Sequence, residues 1–202
     1  MEAIIREIKQ RVTLPLIIFP GGSGQVCRGA DAILFTSLLS GRNAEYLIGE
    51  QVKGAPLVRE YGLEPIPTAY LLIESGVRTS VEYLSHTHPI PRHKPDIVVA
   101  HALAAQYLGM KMVYLEAGSG AIHSVPENII AKTSAYVPLP IICGGGIREP
   151  EDARKKVEAG ASFVVVGNRL EEKNHLPLFA EFAEAIHTGA KANVEEPYQK
   201  AK

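Results

Sequence analysis

The sequence has few of the features that mark membrane-spanning, secreted or nucleic-acid-binding proteins. Its 202 residues include only two cysteines, Cys27 and Cys143, and neither has a neighbour at metal-ligand spacing, so we expect two buried, inert thiols. No apolar run approaches transmembrane length, and residues 1–6 form a charged amphipathic segment rather than a signal peptide. The formal net charge is −1 and the basic residues are dispersed, which argues against a nucleic-acid partner. We therefore expect a cytoplasmic protein.

The composition is that of an ordinary globular protein. Hydrophobic residues make up 46% of the chain and charged residues 21%. A chain of 202 residues can bury one sizeable core. We predict a single domain that spans residues 1–202.

Apolar runs of strand length alternate with segments of helical periodicity. The predicted strands are residues 14–20, 32–39, 68–73, 111–116, 139–143 and 162–166. The predicted helices are residues 1–12, 43–61, 96–108, 126–136, 150–159 and 177–187, the second of them irregular near Gly54 and Pro56. Strands that alternate with helices form a parallel sheet covered by helices. We predict an α/β fold of the (β/α)8 TIM-barrel type, incomplete at its N-terminus because about six strands are visible.

The segment 75–95 interrupts this alternation. It contains several prolines and too little apolar content for a core element, and it holds His86, His88 and His93. The spacing of His86 and His88 suits a metal ligand pair in an extended segment, but no nearby carboxylate or cysteine completes a site. We predict a mobile surface loop.

Glycines follow the last two predicted strands. Residues 144–146 are three consecutive glycines, and Gly167 and Asn168 end the next strand. Glycines permit positive φ and a close approach of the backbone, so that several N–H groups can point at one anion. In a (β/α)8 barrel this is the position of the common phosphate site. The alternative is a glycine turn that serves only tight packing of helix against strand.

A carboxylate and a phenol lie near the end of the fourth strand. Period-two alternation places Tyr114 and Glu116 on one face, which in a barrel is the lumen, opposite Val113 and Leu115. A buried carboxylate is costly unless it is paired or hydrogen-bonded. The hydroxyl groups of a ligand would supply partners for Glu116, and so would an ion pair with an inward Arg or Lys.

Small residues also follow this fourth strand, at residues 118–120. Strand ends around Gly118, Gly145 and Gly167 would then converge on an anionic group, with the Glu116 carboxylate nearby to hold hydroxyls. A small phosphorylated polyol fits that arrangement.

Ordered motifs extend from about residue 14 to about residue 170. In chain order they are Phe19-Pro20-Gly21, Ala30-Asp31-Ala32-Ile33-Leu34-Phe35, Ser37-Leu38-Leu39 with Arg42-Asn43, Tyr46-Leu47-Ile48-Gly49, Pro67-Thr68-Ala69-Tyr70, Tyr107-Leu108-Gly109-Met110-Lys111, Tyr114-Leu115-Glu116-Ala117-Gly118-Ser119-Gly120-Ala121, Gly144-Gly145-Gly146-Ile147-Arg148 and Gly167-Asn168. Together they resemble the geranylgeranylglyceryl phosphate synthase family and its bacterial prenyltransferase relatives. The block of residues 114–121 is highly specific, whereas the glycine motifs alone are not.

The resemblance implies a modified TIM barrel and a prenyltransferase of phospholipid biosynthesis. Such an enzyme transfers a prenyl group from geranylgeranyl diphosphate to the 3-hydroxyl of sn-glycerol 1-phosphate and forms the first ether bond of archaeal lipids. A lipid product argues for transient contact with a membrane. Unpaired edges of the first and last strands favour association, so we expect a homo-oligomer.

The resemblance also implies roles for particular residues. Tyr114 and Glu116 would be catalytic and hold the glycerol, and Glu116 would orient or deprotonate the attacking hydroxyl. The residues implied to bind sn-glycerol 1-phosphate are Tyr114, Leu115, Glu116, Ala117, Gly118, Ser119, Gly120, Gly145, Gly146, Gly167 and Asn168.

The reaction asks for Mg²⁺ on the diphosphate and for an apolar channel around the prenyl chain. In the family, the metal ligands lie in a βαβ segment that precedes the position where this chain starts, and Asp31 matches a different family position. The metal ligands are therefore unidentified. Phe19, Phe35 and Tyr70 suit the channel, although core packing explains them nearly as well.

Two other functions share the predicted phosphate cradle. One is a different barrel enzyme, such as an isomerase, that acts on a small phosphorylated substrate. The other is an inactive, truncated family member that binds phosphate or serves in assembly. Metal dependence separates the prenyltransferase from the isomerase, and turnover separates both from the inactive protein.

Overall fold

The computed structural model describes residues 1–171 and 176–195, and within these ranges six strands alternate with eight α-helices. The strands are β1 (Ile17–Ile18), β2 (Ala32–Leu38), β3 (Glu64–Leu72), β4 (Met112–Glu116), β5 (Ile141–Gly144) and β6 (Phe163–Val165). The helices are α1 (Glu2–Arg11), α2 (Glu50–Glu60), α3 (Ser80–Ser85), α4 (Pro95–Tyr107), α5 (Glu127–Tyr136), α6 (Pro150–Glu158), α7 (Asn168–Glu171) and α8 (Leu176–Glu195). A 3₁₀ turn covers Ser23–Gln25, and a π-helical turn covers Glu45–Gly49.

All six strands belong to one parallel sheet, in chain order from β1 at one edge to β6 at the other. From β2 onward, every crossover contains at least one α-helix. The sheet curls as an open half-barrel, which confirms the predicted α/β fold with six strands. Because the strands are parallel, their carboxyl ends meet at one rim, where sites of such folds are built.

Prolines explain where the strand ends differ from prediction. β1 has only two residues, since Pro15 and Pro20 flank it and lack the N–H that a sheet ladder needs. β3 begins four residues earlier than predicted and includes Pro65 and Pro67. Both of these prolines precede Thr68, where the pairing with β4 begins, so they interrupt no ladder on that side.

The predicted helix irregularity is displaced. The sequence placed it near Gly54 and Pro56, but both residues lie inside α2, and the irregular part is the π-helical turn that precedes α2. A Cβ added to Gly54 would lie 3.6 Å from a methyl group of Val26, an ordinary van der Waals contact, so packing does not require glycine at this position. At the other end of the chain, α8 extends beyond its predicted end, and α7 is a helix that the sequence did not predict.

The segment 75–95 differs from the predicted surface loop. It contains α3, and Ile90 forms a parallel bridge with Ile73. Ser75 and Ser85 are buried, and their hydroxyls donate to the carbonyls of Val77 and Val81. Local hydrogen bonds of this kind allow polar residues to be buried without an apolar pattern in the sequence.

The strands bury different residues on their two faces. Val113 and Leu115 pack in the main core between the sheet and the helices. Tyr114 packs with Leu34 and Ile142 on the opposite, inner face. The predicted alternation along β4 is therefore confirmed.

Both cysteines are buried, as predicted. Burial raises the pKa of the Cys27 thiol above its ordinary value and that of Cys143 to about 12. Because the thiolate is the reactive form, protonation lowers the reactivity of both thiols at neutral pH.

We expect Leu115→Ala to lower the free energy of unfolding by about 2–5 kcal/mol, because it removes a fully buried side chain from the main core. Urea denaturation measures the change. Leu108→Ala is the matched control, since Leu108 is exposed, and it should change stability by no more than about 0.5 kcal/mol. Equal losses in the two variants would contradict this placement of the core.

Candidate functional site

A cavity of about 490 Å³ opens at the carboxyl ends of β4, β5 and β6. The register of the sheet places Glu116 beside Gly144, and Gly144 beside Val165. We call this space the glycine cavity. Its lining comprises Phe19, Tyr70, Ser80, Val81, Tyr114, Glu116, Ser119, Gly120, Ala121, Gly145, Gly146, Ile147, Arg148, Val165, Gly167, Asn168 and Arg169.

Glu116 is a buried carboxylate on the inner face of the sheet, with 6% of its surface exposed. Its Oε1 atom accepts a hydrogen bond from the Gly118 N–H at 2.6 Å. Among the described residues it takes part in no ion pair, so the alternative of an inward Arg or Lys partner is not supported. Burial raises the pKa of the Glu116 carboxyl. The Gly118 N–H and the Tyr114 hydroxyl act to lower this pKa, but the net shift is upward.

Tyr114 places a phenol next to this carboxylate. The tyrosine is fully buried, and within the described part of the chain its hydroxyl lacks a well-formed hydrogen bond. Burial raises the pKa of the Tyr114 hydroxyl, as does the nearby charge of Glu116, so the phenol stays protonated and can donate. A buried donor of this kind, facing a cavity, suits a hydroxyl group of a ligand.

Aromatic rings surround the Tyr114 side chain. Its ring centroid lies 4.9 Å from that of Phe19 and 5.2 Å from that of Tyr70. We call Phe19, Tyr70 and Tyr114 the aromatic wall. Tyr70 lies in β3 and Tyr114 in β4, and Phe19 directly follows β1, so the wall forms only when the sheet has assembled.

The glycines at the end of β5 have a positive φ, 83° for Gly145 and 69° for Gly146. A Cβ added to Gly145 would lie 2.6 Å from the Gly118 amide nitrogen and would also collide with Glu116 Oε1. Tight packing therefore needs glycine here, and the same backbone also lines the cavity. The structure thus supports the packing interpretation, and phosphate binding by the glycine triplet stays a prediction.

The third segment of the cavity is the end of β6 and the start of α7. Ser119 Oγ donates to Asn168 Oδ1 at 3.1 Å, which joins the loop after β4 to α7. A Cβ added to Gly167 would meet nothing within 4 Å, so the backbone here faces open space. The predicted convergence of three strand ends is present.

Two arginines, Arg148 and Arg169, line the glycine cavity, although the sequence analysis did not include them among the site residues. Arg148 Nη2 donates to the Ala121 carbonyl at 3.1 Å, and Arg169 Nε donates to the Arg148 carbonyl at 3.3 Å. Arg148 follows the glycine triplet directly and Arg169 follows Asn168, so proximity to the glycine motifs was the available signal. Ser80 and Val81 of α3, in the segment predicted as a loop, also line the cavity.

Three residues predicted to bind ligand do not line the cavity. Leu115 and Ala117 are fully buried in the main core, because strand alternation turns them toward the helices. The Gly118 N–H is already bonded to Glu116, which makes it a support for the carboxylate rather than a free anion donor.

A second cavity, of about 320 Å³, lies beside the first and is mostly apolar. Phe19, Phe35 and Tyr70, the residues suited to a channel, all line it. Phe19, Tyr70 and Val81 also line the glycine cavity, so the two spaces share a wall. We call this space the front cavity.

One charged group lies at the edge of the front cavity. The Ser23 N–H donates to Glu50 Oε2 at 2.5 Å, and together with bonds from Lys53 and the Ser23 hydroxyl this lowers the pKa of Glu50 to about 2. Glu50 therefore remains ionised at neutral and mildly acidic pH.

The structure does not identify the ligands of the Mg²⁺ that the resemblance implies. No group of three or more His, Cys, Asp or Glu side chains comes together within the described ranges. Asp31 is engaged with Lys9 and with the Leu16 N–H, away from both cavities.

Comparisons with known proteins agree with this geometry. The PcrB family matches residues 1–186. Geranylgeranylglyceryl phosphate synthase of Thermococcus gammatolerans is 47% identical over 191 residues, which are 95% of this chain and 75% of that protein. The protein of the same name from Chitinophaga pinensis is 44% identical over 190 residues, 94% of this chain and 75% of that protein.

A solved structure is also similar. The (S)-3-O-geranylgeranylglyceryl phosphate synthase of Thermoplasma acidophilum, in complex with its substrate sn-glycerol-1-phosphate, superposes with a TM-score of 0.84 at 39% identity. The match covers 90% of this chain and 73% of that one.

We expect Gly145→Ala to destabilise the protein more than Gly62→Ala does. Both glycines have a positive φ, but a Cβ at Gly62 would meet nothing within 4 Å, so only strain of about 1–2 kcal/mol applies there. At Gly145 the collision with Gly118 and Glu116 adds to that strain. Urea denaturation of both variants measures the difference, and equal losses would argue against the close approach of the two loops.

Proposed function

Because the chain belongs to the PcrB family, we propose that it transfers a geranylgeranyl group from geranylgeranyl diphosphate to the 3-hydroxyl of sn-glycerol 1-phosphate. The observation that carries this proposal is the buried pair of Tyr114 and Glu116 in a cavity closed by the glycine-ended strands β5 and β6. The Thermoplasma acidophilum enzyme in complex with sn-glycerol-1-phosphate supports the choice of acceptor.

The phosphate of the acceptor would bind at the glycine side of the cavity. Backbone next to Gly120, Gly145, Gly146 and Gly167, with the Asn168 amide, can bring several N–H groups to one anion. The guanidinium groups of the two lining arginines add positive charge and charge-assisted hydrogen bonds. This arrangement favours a phosphate over a carboxylate, because a phosphate has more oxygens to accept these bonds.

The glycerol would lie against Tyr114 and Glu116. The Tyr114 hydroxyl can donate to a glycerol oxygen, and the Glu116 carboxylate can accept from the 3-hydroxyl. With Oε1 fixed by the Gly118 N–H, Oε2 is the atom that takes the proton. A pKa raised by burial makes Glu116 a stronger base than a solvated carboxylate and suits it to general base catalysis.

The prenyl chain would occupy the front cavity. This space is mostly apolar and shares Phe19 and Tyr70 with the glycine cavity, so the reactive end of the chain can meet the glycerol at the aromatic wall. The glycerol 3-oxygen then bonds to C1 of the prenyl group, the bond from C1 to the diphosphate oxygen breaks, and the proton passes to Glu116. Aromatic faces stabilise the positive charge that develops on an allylic carbon.

The ligands of the metal ion are unidentified. Mg²⁺ would neutralise the leaving diphosphate, and no group of three or more His, Cys, Asp or Glu side chains comes together for it within the described ranges. Cytoplasmic location and a homo-oligomeric state remain predictions, the latter from the open edges of β1 and β6.

We expect Glu116→Gln to lower turnover by about 10²- to 10⁴-fold, because a glutamine cannot accept the proton. The measurement is the amount of ether product formed from geranylgeranyl diphosphate and sn-glycerol 1-phosphate in the presence of Mg²⁺.

In the unaltered protein, activity should rise with pH as Glu116 ionises. Since burial raises the pKa of Glu116, the midpoint should lie above the ordinary value of about 4.3.

Glu158→Gln is the control, because Glu158 lies on α6 in a surface ion pair with Arg154. It should retain both the rate and the pH profile. Near-normal turnover of Glu116→Gln would refute the role of Glu116, and absence of ether product in the unaltered protein would refute the proposed reaction. Acceptor binding without product would favour an inactive phosphate-binding protein.

We expect Arg169→Gln to raise the Kd for sn-glycerol 1-phosphate by about ten- to a hundredfold, because a charge-assisted bond to the phosphate is lost. Isothermal titration calorimetry measures it. Arg6→Gln, on the exposed surface of α1, is the control for the loss of one positive charge and should bind normally. An unchanged Kd in Arg169→Gln would remove this arginine from the site.

A further inference from the structure

Besides Phe19 and Val165, which line the cavities, five large apolar side chains are exposed near the cavity mouths. Each lies in a segment that follows the carboxyl end of β2, β3 or β4, and therefore at the rim where the cavities open. They are Ile48, Val77, Tyr83, Leu84 and Ile122, which we call the rim patch.

Contacts between the loops bring members of the rim patch near one another. A Cβ on Gly76, next to Val77, would lie 3.7 Å from Cβ of Ile122. The Tyr46 hydroxyl donates to the Leu84 carbonyl at 3.4 Å, which joins the turn that carries Ile48 to α3. The patch therefore spans the rim from the loop after β4 to the turn after β2.

Exposure alone does not distinguish the rim patch. Tyr107 and Leu108 are 79% and 70% exposed at the other end of the barrel, against 61% and 64% for Tyr83 and Leu84. The difference is the cavity: Leu84 lines the apolar front cavity as well as the rim, and neither Tyr107 nor Leu108 lines a described cavity. Leu84 thus connects the apolar front cavity with exposed apolar surface at the rim.

We propose that the rim patch docks on the surface of a lipid bilayer, so that the apolar chain passes between the bilayer and the front cavity without crossing water. The proposal rests on the proposed function, because a geranylgeranyl donor and its lipid product both partition into membranes. No helix in the described ranges is long and apolar enough to cross a membrane. Docking of a side-chain patch at the interface is the mode that the geometry indicates.

The residues around the patch suit a membrane interface. Tyr83 has an apolar ring and a polar tip, the composition that tyrosines show at the boundary between headgroups and acyl chains. The Arg78 guanidinium lies 5.3 Å from the centre of the Tyr83 ring, where it can reach a lipid phosphate while the ring enters the interface. Arg78 also faces Glu82 at 3.9 Å, so the local charge is balanced and the apolar side chains dominate.

The test is flotation of the full chain with phosphatidylcholine vesicles, in the absence of substrates. We expect the unaltered protein to float with the vesicles and Tyr83→Ser/Leu84→Ser to lose about tenfold in the bound fraction. Tyr107→Ser/Leu108→Ser is the matched control, since it changes the same two residue types at similar exposure, and it should bind normally. Because apolar contact dominates, binding should survive added salt.

Failure of the unaltered protein to float, or equal losses in the two double variants, would overturn the docking. A change of sedimentation mass in Tyr83→Ser/Leu84→Ser without vesicle binding would also overturn it and make the patch an interface between copies. Ether-product assays on the same samples keep the two ideas separate. Transfer without vesicle binding overturns the docking alone, whereas rim-dependent binding without transfer supports the docking and overturns the proposed reaction.

Discussion

The burial of the Glu116 carboxylate is the constraint on which the rest of the site depends. Removing an ionised group from water costs several kcal/mol unless donors or a charge compensate it, and here the Gly118 N–H and the neighbouring Tyr114 hydroxyl do so in part. Gly144 and Gly145 pack so closely that a side chain at either position would collide with the carboxylate or with its support. A carboxylate retained at this cost on the inner face of a sheet is typical of a functional group rather than a stabilising one.

The aromatic wall separates two chemically different spaces. On one side, glycine backbone, the Glu116 carboxylate and two arginines line the glycine cavity, and on the other the lining of the front cavity contains one charged residue, Glu50. Phe19 and Tyr70 belong to both. A charged polyol and an apolar chain can therefore meet at one point while each keeps the surroundings it prefers, which is what a transfer between them requires.

The segment 75–95 links these spaces to the rim. Val81 lines both cavities, and Leu84 connects the front cavity with exposed apolar surface. Its buried serines find partners within the segment itself. A stretch that is polar in sequence thus forms part of two cavity walls, because short-range hydrogen bonds replace the apolar pattern that marks other core elements.

The features that were predicted correctly depend on patterns within a single segment of the sequence. Uninterrupted apolar runs predicted β2, β4 and β5, and period-two alternation placed Tyr114 and Glu116 on the inner face. Where prediction failed, long-range neighbours decided the outcome. Pro65 and Pro67 join β3 because β2 lies alongside them, and Arg169 lines the cavity because β6 ends beside the glycine triplet.

The sequence by itself determined the alternating strands and helices, the inward carboxylate and the glycine-ended strands, since spacing along one segment settles each of these. Only the tertiary structure decided that the Gly118 N–H serves Glu116, that Arg169 lines the glycine cavity, and that the two cavities share a wall. These features arise where separate strands and loops meet, and no pattern within a single segment records which atoms will be neighbours after folding.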